Sequence, residues 1–509
     1  MKEEVGMNRW RPSGALAALA AAGVLAVSAS TAMAVSDGSP YTNVLGISTA
    51  NTEATQTLNP GLTGQWLWGT YFDVRQVKNG STGSSDAQDV NIQILNSNPN
   101  NPGSDGYNSR GGILARVRFR ESKTSRELLD FDVALSCAEV WTGKIELPAG
   151  SGTPRVVSND PIRTASGAAT FTTSPALASG RAFTKPVGLT DADIQRGYFE
   201  VIAEEALPCE PIDGQVNREG DIWARIIDGD RTPSNALSAE VILIRVAAGV
   251  SHIYNAEAIS RYIVAGGGEV TQTPSSGSPD LTNCVAGSQS GQDCVDQMNF
   301  ILSKSRVMAQ YDIQSITGGS TRVVITLPTK HYSCSRNAPN TDWNGVAEPP
   351  FSCQGAANGL GGEQIGCVPY NRLEDSVPAG DDIFSPGTAA GVCVLPREVT
   401  VVNIVANDSP TSLNLSAVSD EIINVTSIPR EHLAGWVDFN LVRDPSNATQ
   451  VHGQDGLNVN LLGSFYSRYE GLPALTLILQ EYINASLAPS GVYGGAVPAP
   501  YEVFYAIGS

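Results

Sequence analysis

The sequence feature that most constrains the fold is a series of short alternating segments separated by turn-rich runs. Residues 90–94, Val-Asn-Ile-Gln-Ile, alternate apolar and polar side chains and stop at the Asn- and Gly-rich run 96–112. Residues 113–119 alternate again, with arginines on one face and apolar side chains on the other. A period of two predicts strands that bury one face. We therefore expect a mostly β chain with two β-sandwich-like domains, long loops, disulfide links and few short helices.

The composition excludes two broad classes of protein. Only 16% of the residues are charged, which is too few for a helical bundle or a coiled coil. The formal net charge is −19, so the surface repels a polyphosphate backbone. We expect an acidic protein that does not bind nucleic acid.

The N-terminal segment has the three parts of an export signal. Arg9 and Arg11 precede an Ala/Leu/Val run at residues 14–27, and Ala32-Met33-Ala34 forms a small-x-small cleavage site. The apolar run is too short to be a good membrane span. The sequence therefore predicts a signal peptide over residues 1–34, a secreted bacterial protein and a mature chain without a transmembrane segment.

All eight cysteines lie beyond the predicted signal, and an even number in an exported chain predicts disulfides. A metal site is the alternative, but the chain has no CxxC motif and only four histidines. Sequence alone does not fix the connectivity; pairing nearest neighbours gives 284–294, 334–353 and 367–393, which leaves 137–209. The predicted disulfide residues are Cys137, Cys209, Cys284, Cys294, Cys334, Cys353, Cys367 and Cys393.

Residues 266–292 are rich in Gly, Ser and Thr, which is typical of a linker or an exposed loop. They divide the mature chain into an N-terminal β domain, residues 35–265, and a C-terminal β domain with cysteine-rich loops, residues 293–509. Residues 295–311 carry apolar side chains at helical spacing and are the best helix candidate.

Six short phrases, taken in order, resemble a group of exported, functionally uncharacterised cell-surface proteins of Gram-negative bacteria. The resemblance covers most of the mature chain and implies a location and an architecture, without any catalytic motif. The phrases lie at residues 115–121, 125–131, 140–143, 197–202, 327–330 and 471–473.

Paired carboxylates are the best enzymatic candidates, because a glycosidase needs only two. Glu200 and Glu204 lie on one face of a predicted strand, with Glu205 beside them, and Asp130 and Asp132 share a face of another. The competing interpretation is that these acids are the solvent face of half-buried strands.

A row of arginines supports that competing interpretation. The alternating strand places them on one face, where they can form cross-strand ion pairs with a row of carboxylates. We favour this structural role over catalysis. The arginines are Arg116, Arg118 and Arg120.

Other catalytic and ligand-binding patterns are weak. The sequence has no G-x-S-x-G motif, and its four histidines are isolated. Acidic loops at Asp228 and Asp230 and at Asp381 and Asp382 are candidates for calcium, although turns favour the same residues. We therefore expect no cofactor, with calcium as the alternative.

Export, predicted disulfides and the missing catalytic constellation favour a non-enzymatic structural or adhesive protein on the bacterial surface. We expect it on the outer surface or in the extracellular space, with the periplasm as an alternative. Its partners would be copies of itself, other surface components or a glycan. The competing hypothesis is a secreted polysaccharide hydrolase that uses paired carboxylates.

Overall fold

The computed structural model describes 57–58, 63–75, 77–78, 85–86, 88–98, 112–160, 180–207, 235–245, 250–260, 291–314, 317–334, 349–353, 362–373, 392–406, 422–428, 433–442, 452–461, 464–484 and 491–507. The predicted signal peptide and residues 266–290 of the predicted linker lie outside these ranges.

Among the described residues before 261, the elements are strands and one short helix. They are β1 (Thr57–Leu58), β2 (Trp66–Asp73), β3 (Val77–Lys78), β4 (Ser85–Asp86), β5 (Gln88–Asn96), β6 (Gly112–Glu121), β7 (Glu127–Leu135), β8 (Val140–Glu146), β9 (Arg155–Val157), β10 (Arg181–Ala182), α1 (Asp191–Ile194), β11 (Arg196–Leu207), β12 (Leu237–Arg245), β13 (Val250–Asn255) and β14 (Glu257–Ser260).

The elements after residue 290 are again mainly strands. They are α2 (Gly291–Leu302), β15 (Ser303–Lys304), β16 (Arg306–Asp312), β17 (Gly319–Thr326), α3 (Lys330–Ser333), β18 (Glu363–Asn371), β19 (Val392–Leu395), β20 (Val399–Ala406), β21 (Ile422–Ile428), β22 (Ala434–Asn440), β23 (Gly453–Leu461), β24 (Ser464–Glu470), β25 (Leu472–Pro473), β26 (Leu475–Asn484), β27 (Gly491–Pro498), β28 (Tyr501–Glu502) and β29 (Phe504–Ile507).

The protein is mostly β, as the alternating segments predict. Before residue 261 it forms two six-stranded sheets, in the orders β1-β14-β2-β11-β6-β7 and β10-β9-β8-β5-β12-β13. Apolar residues of both sheets belong to one core, in which Phe131 of β7 lies 5.6 Å, between ring centroids, from Trp141 of β8. The alternation of β5 and β6 therefore buries one face of each strand in this shared core.

After residue 290 the larger sheets have the orders β19-β18-β22-β16-β28 and β21-β20-β17-β26-β27. The pairing of β20 with β21 is parallel, whereas the other strand pairs of these two sheets are antiparallel. A second core lies among these sheets and includes Val323, Ile365 and Phe439. The fold class is confirmed, and the division into two sandwich-like domains stays a prediction.

Two disulfides lie in the second core. Cys334 is bonded to Cys353 and Cys367 to Cys393, which confirms two of the nearest-neighbour pairings. Cys137 is also disulfide-bonded. Cys209 and Cys284 lie outside the described residues.

The predicted helix over residues 295–311 is wrong at both ends. Helix α2 ends at Leu302, and Arg306–Asp312 is strand β16. The apolar residues of β16, Val307, Ala309 and Tyr311, are buried at a spacing of two. They face the second core because β16 pairs with β22, and this tertiary pairing overrides a local helical pattern. No helix in the described ranges has the length and hydropathy needed to cross a membrane.

The two halves of the chain are packed against each other. The first core also contains Val324, Val401 and Leu477, which come from strands after residue 290. Across the same boundary, the Thr326 hydroxyl donates to the Thr70 carbonyl oxygen at 2.8 Å. We call this contact region the seam, and it positions the charged groups described next.

Candidate functional site

The arginine row lies on the central strand β6, between β7 and β11. Arg116, Arg118 and Arg120 are 1%, 1% and 6% exposed, while Val117 and Phe119 on the other face belong to the first core. Both faces of this strand are therefore buried. The interpretation of the facing acids as a solvent face is wrong for Asp132, Glu200 and Glu204, which are also buried.

Arg116 pairs with three carboxylates from the neighbouring strands. Its Nε lies 2.5 Å from Asp132 Oδ1 and 3.5 Å from Glu204 Oε1, and Nη1 contacts Asp130. Asp132 is directly opposite Arg116 in the β6–β7 register. Glu204 reaches Arg116 because the β6–β11 register shifts between Ala203 and Glu205, as in a β-bulge.

Glu200 is shared by the other two arginines of the row. Arg118 Nη1 lies 3.5 Å from Glu200 Oε1, and Arg120 Nε donates to the same oxygen. Burial opposes the charge on Arg120, yet Glu200 holds its pKa well above the usual range. The cross-strand ion pairs predicted from sequence are thus confirmed.

The face is buried because a distant part of the chain covers it. Arg120 Nη2 donates to the Tyr332 hydroxyl at 3.3 Å, and the Tyr198 hydroxyl donates to the Pro328 carbonyl oxygen at 3.1 Å. Glu200 is fully buried and Glu204 nearly so. This geometry does not favour the hydrolase hypothesis, because a polysaccharide needs both carboxylates to be accessible.

A second charge network crosses the seam. Arg245 Nη1 lies 3.0 Å from Glu481 Oε2, and Arg322 Nη2 lies 2.5 Å from Glu481 Oε1. Burial raises the pKa of Glu481, but Arg322 and Arg245 reverse this effect and hold it below the usual value. No sequence pattern indicates this network, because its members lie on β12, β17 and β26 and become neighbours only after folding.

His252 lies in the same network, with Nε2 3.7 Å from Glu481 Oε1. Burial and Arg322 lower its pKa from 6.5 to about 4. The unfolded chain therefore binds a proton at a higher pH than the folded chain. This contribution to stability is complete above pH 6.5 and is lost as the pH falls towards 4.

We expect acidification from pH 7 to pH 4 to destabilise the protein through His252 by up to about 3 kcal/mol. Urea unfolding at pH steps between these values measures the effect. Glu481, with its lowered pKa, adds to acid destabilisation below 4.5, whereas buried Glu398, with its raised pKa, acts in the opposite direction. The wild-type protein is therefore compared with His252→Asn, in which the free energy of unfolding should change less between pH 6.5 and 4.5. If this free energy changes equally with pH in both proteins, His252 is not the cause of the acid destabilisation.

A third group of polar side chains is buried in the C-terminal half, and we call it the Glu363 cluster. Lys330 Nζ lies 2.8 Å from Glu363 Oε1, and both side chains are 0% exposed. His452 Nδ1 lies 3.9 Å from Glu363 Oε2. The cluster comprises Lys330, Ser352, Glu363, Glu398 and His452.

The calcium candidates Asp228, Asp230, Asp381 and Asp382 lie outside the described residues. Within the part that the structure describes, no group of three or more His, Cys, Asp or Glu side chains is arranged to hold a metal ion. Comparisons with protein-family models, curated proteins and solved structures gave no match, so no relative assigns a role to any of these residues.

Proposed function

We propose that this chain is an exported structural or adhesive protein of the bacterial cell surface, located on the outer surface or in the extracellular space. The observation that carries the proposal is that the best catalytic candidates, Glu200 and Glu204, are buried in ion pairs with arginines. Charged groups in this arrangement stabilise the pairing of strands, and a substrate cannot reach them.

Ion pairs across the seam support a structural role. Lys304 Nζ lies 3.3 Å from Glu257 Oε1, and Arg397 Nη1 lies 2.6 Å from Asp193 Oδ1. Together with Glu481, these pairs join residues before 261 to residues after 290. Such links make the two halves resist separation as a unit. The two disulfides lie within the C-terminal half, where they restrict the unfolded chain, and they suit an oxidising compartment.

The partners we propose are further copies of this chain, other surface components or a glycan. Purified protein examined by electron microscopy and light scattering, with and without calcium, tests self-assembly. We expect ordered assemblies or defined oligomers. Monodisperse monomers in both conditions, together with no binding to isolated cell envelopes, would contradict a structural or adhesive role.

A hydrolysis assay separates this proposal from the polysaccharide hydrolase hypothesis. We expect no release of reducing sugar from cell-surface or plant polysaccharides by the purified protein. Release that disappears in Glu200→Gln but persists in a control such as Glu502→Gln, whose side chain is exposed, would overturn the proposal.

A further inference from the structure

The outer face of the sheet β19-β18-β22-β16-β28 carries two aromatic side chains that do not belong to the second core. The inner face consists of alternate residues such as Val437 and Phe439, which are fully buried. Trp436 of β22 and Tyr370 of β18 lie on the other face, in register with each other, and are half-buried. Their ring centroids are 4.2 Å apart and their planes differ by 13°, so the rings are stacked. The pair gives this face a flat apolar surface.

Stacking uses only one face of each ring. The other face of the Trp436 ring is turned away from Tyr370 and towards β16, where Gln310 is the register partner of Trp436. Gln310 is exposed, and a side-chain amide both donates and accepts hydrogen bonds. An apolar ring face therefore lies next to a polar group that suits a hydroxyl in either role.

A fixed ion pair lies further along the same face. Arg306 Nε and Nη2 donate to Asp438 Oδ1 and Oδ2 at 2.6 and 2.7 Å. Asp438 follows Trp436 by two residues on β22, so the two side chains leave the strand on the same side. The two parallel hydrogen bonds hold the guanidinium and the carboxylate in place, while the Arg306 side chain keeps 35% of its surface exposed.

The size of this surface excludes a stable protein partner. The three strands β18, β22 and β16 span about 10 Å, and residues 436–440 of β22 extend over about 13 Å. A stable protein–protein interface buries about 800 Å² on each partner, which is several times this area. We call this region the Trp436 surface. It comprises Arg306, Gln310, Tyr370, Trp436 and Asp438.

The charges around the Trp436 surface favour an uncharged ligand. Arg306 faces two carboxylates, because Nη1 also lies 3.9 Å from the exposed Glu502. The whole chain has a formal net charge of −19, so an anionic ligand is repelled both locally and at long range. The ligand that fits is small and neutral, with an apolar face for the indole ring and hydroxyl groups for the polar side chains.

We propose that the Trp436 surface binds a neutral oligosaccharide. The C–H face of a pyranose ring packs on the Trp436 ring, and the sugar hydroxyls form hydrogen bonds with Gln310 and with the Arg306–Asp438 pair. This inference rests on the proposed adhesive function and selects a glycan from the partners named there.

Native electrophoresis of the purified full-length protein, in gels that contain a soluble polysaccharide, tests the inference. The neutral probes are dextran, mannan, arabinoxylan and mixed-linkage β-glucan, and alginate is the anionic probe. We expect at least one neutral polysaccharide to slow the migration of the protein and alginate to leave it unchanged. Unchanged migration with all four neutral probes, or slower migration with alginate alone, would overturn the proposal.

Variants of the surface locate the binding site. Trp436→Ala should weaken binding about tenfold or more, because it removes the stacking face, whereas Trp436→Phe should keep most of the affinity. Gln310→Ala changes an exposed side chain and should also weaken binding. Ile253→Ala is the matched control, since it removes an exposed apolar side chain from β13 in a different sheet, and it should bind as wild type does. Circular dichroism establishes that each variant is folded. Wild-type affinity in folded Trp436→Ala and Gln310→Ala would contradict the assignment.

Two further measurements separate the alternatives. Light scattering without polysaccharide should give the same molar mass for wild type and Trp436→Ala; a lower mass for the folded variant would assign the surface to a second copy of the chain and refute glycan binding there. Immunogold labelling should find Trp436→Ala on the cell surface as it finds wild type. A wild-type protein that reaches the surface but binds no neutral probe refutes this inference alone, whereas absence from both surface and medium refutes the proposed function.

Discussion

Replacing Arg116 with methionine is expected to lower the free energy of unfolding by about 3–5 kcal/mol, because it leaves buried carboxylates without a cation. Asp132 and Glu204 are both buried and both face the Arg116 guanidinium. Without it they repel each other in a region that water does not reach. Urea unfolding at pH 7, followed by circular dichroism and tryptophan fluorescence, measures the loss.

Two controls identify the cause of that loss. Lys185 forms a 2.6 Å ion pair with Asp191, but both side chains are about half exposed, so Lys185→Met should cost less than about 1 kcal/mol. Adding Asp132→Asn and Glu204→Gln to Arg116→Met removes the uncompensated charges and should recover part of the stability. Equal losses for Arg116→Met and Lys185→Met would contradict the account.

Replacing Glu481 with glutamine is expected to have an effect of similar size, about 3–5 kcal/mol. Arg245 and Arg322 are buried and share this carboxylate, so the variant leaves two cations facing each other across the seam. We expect faster hydrogen exchange in β13 and β27, which contain or flank the network. Urea unfolding and hydrogen exchange measured by mass spectrometry report the two effects.

The matched control for Glu481→Gln is Glu502→Gln. Glu502 lies 3.9 Å from Arg306, and both side chains are about one-third exposed or more, so its loss should change stability little. If both variants unfold at the same urea concentration, Glu481 does not hold the seam together.

The arginine row shows which features of the site the sequence predicts and which it does not. The period of two places Arg116, Arg118 and Arg120 on one face, and the acids at Asp132 and Glu200 predict their cross-strand partners. Burial of that face could not be predicted, because the covering residues lie more than a hundred positions later in the chain. A local pattern distinguishes the two faces of a strand but does not say what packs on each.

The cysteines and the helix also show where the sequence predicts the structure and where it does not. Nearest-neighbour pairing is correct for 334–353 and 367–393, where the bonded residues are 19 and 26 positions apart. The helical spacing over residues 295–311 continues past Leu302 only by coincidence, since the pairing of β16 with β22 decides the structure there.

No sequence pattern identifies the Glu363 cluster. Lys330, Glu363, Glu398 and His452 are spread over more than a hundred residues. Lys330 begins the short helix α3, and Glu363 begins strand β18. The disulfide between Cys334 and Cys353 lies beside the cluster, since the Cys353 amide donates to Glu363 Oε1 at 3.1 Å. No spacing rule joins such positions, so only the folded chain brings Lys330, Glu363 and His452 together.

The most direct test of the central claim, an exported structural or adhesive protein, is its location on intact bacteria that produce the full chain. Antibodies raised against the folded protein are used for immunogold electron microscopy, together with fractionation into cytoplasm, periplasm, envelope and medium. We predict dense labelling of the outer surface of intact cells, with the remaining protein in the medium. Labelling confined to the cytoplasm, with no protein at the surface or in the medium, would contradict the account.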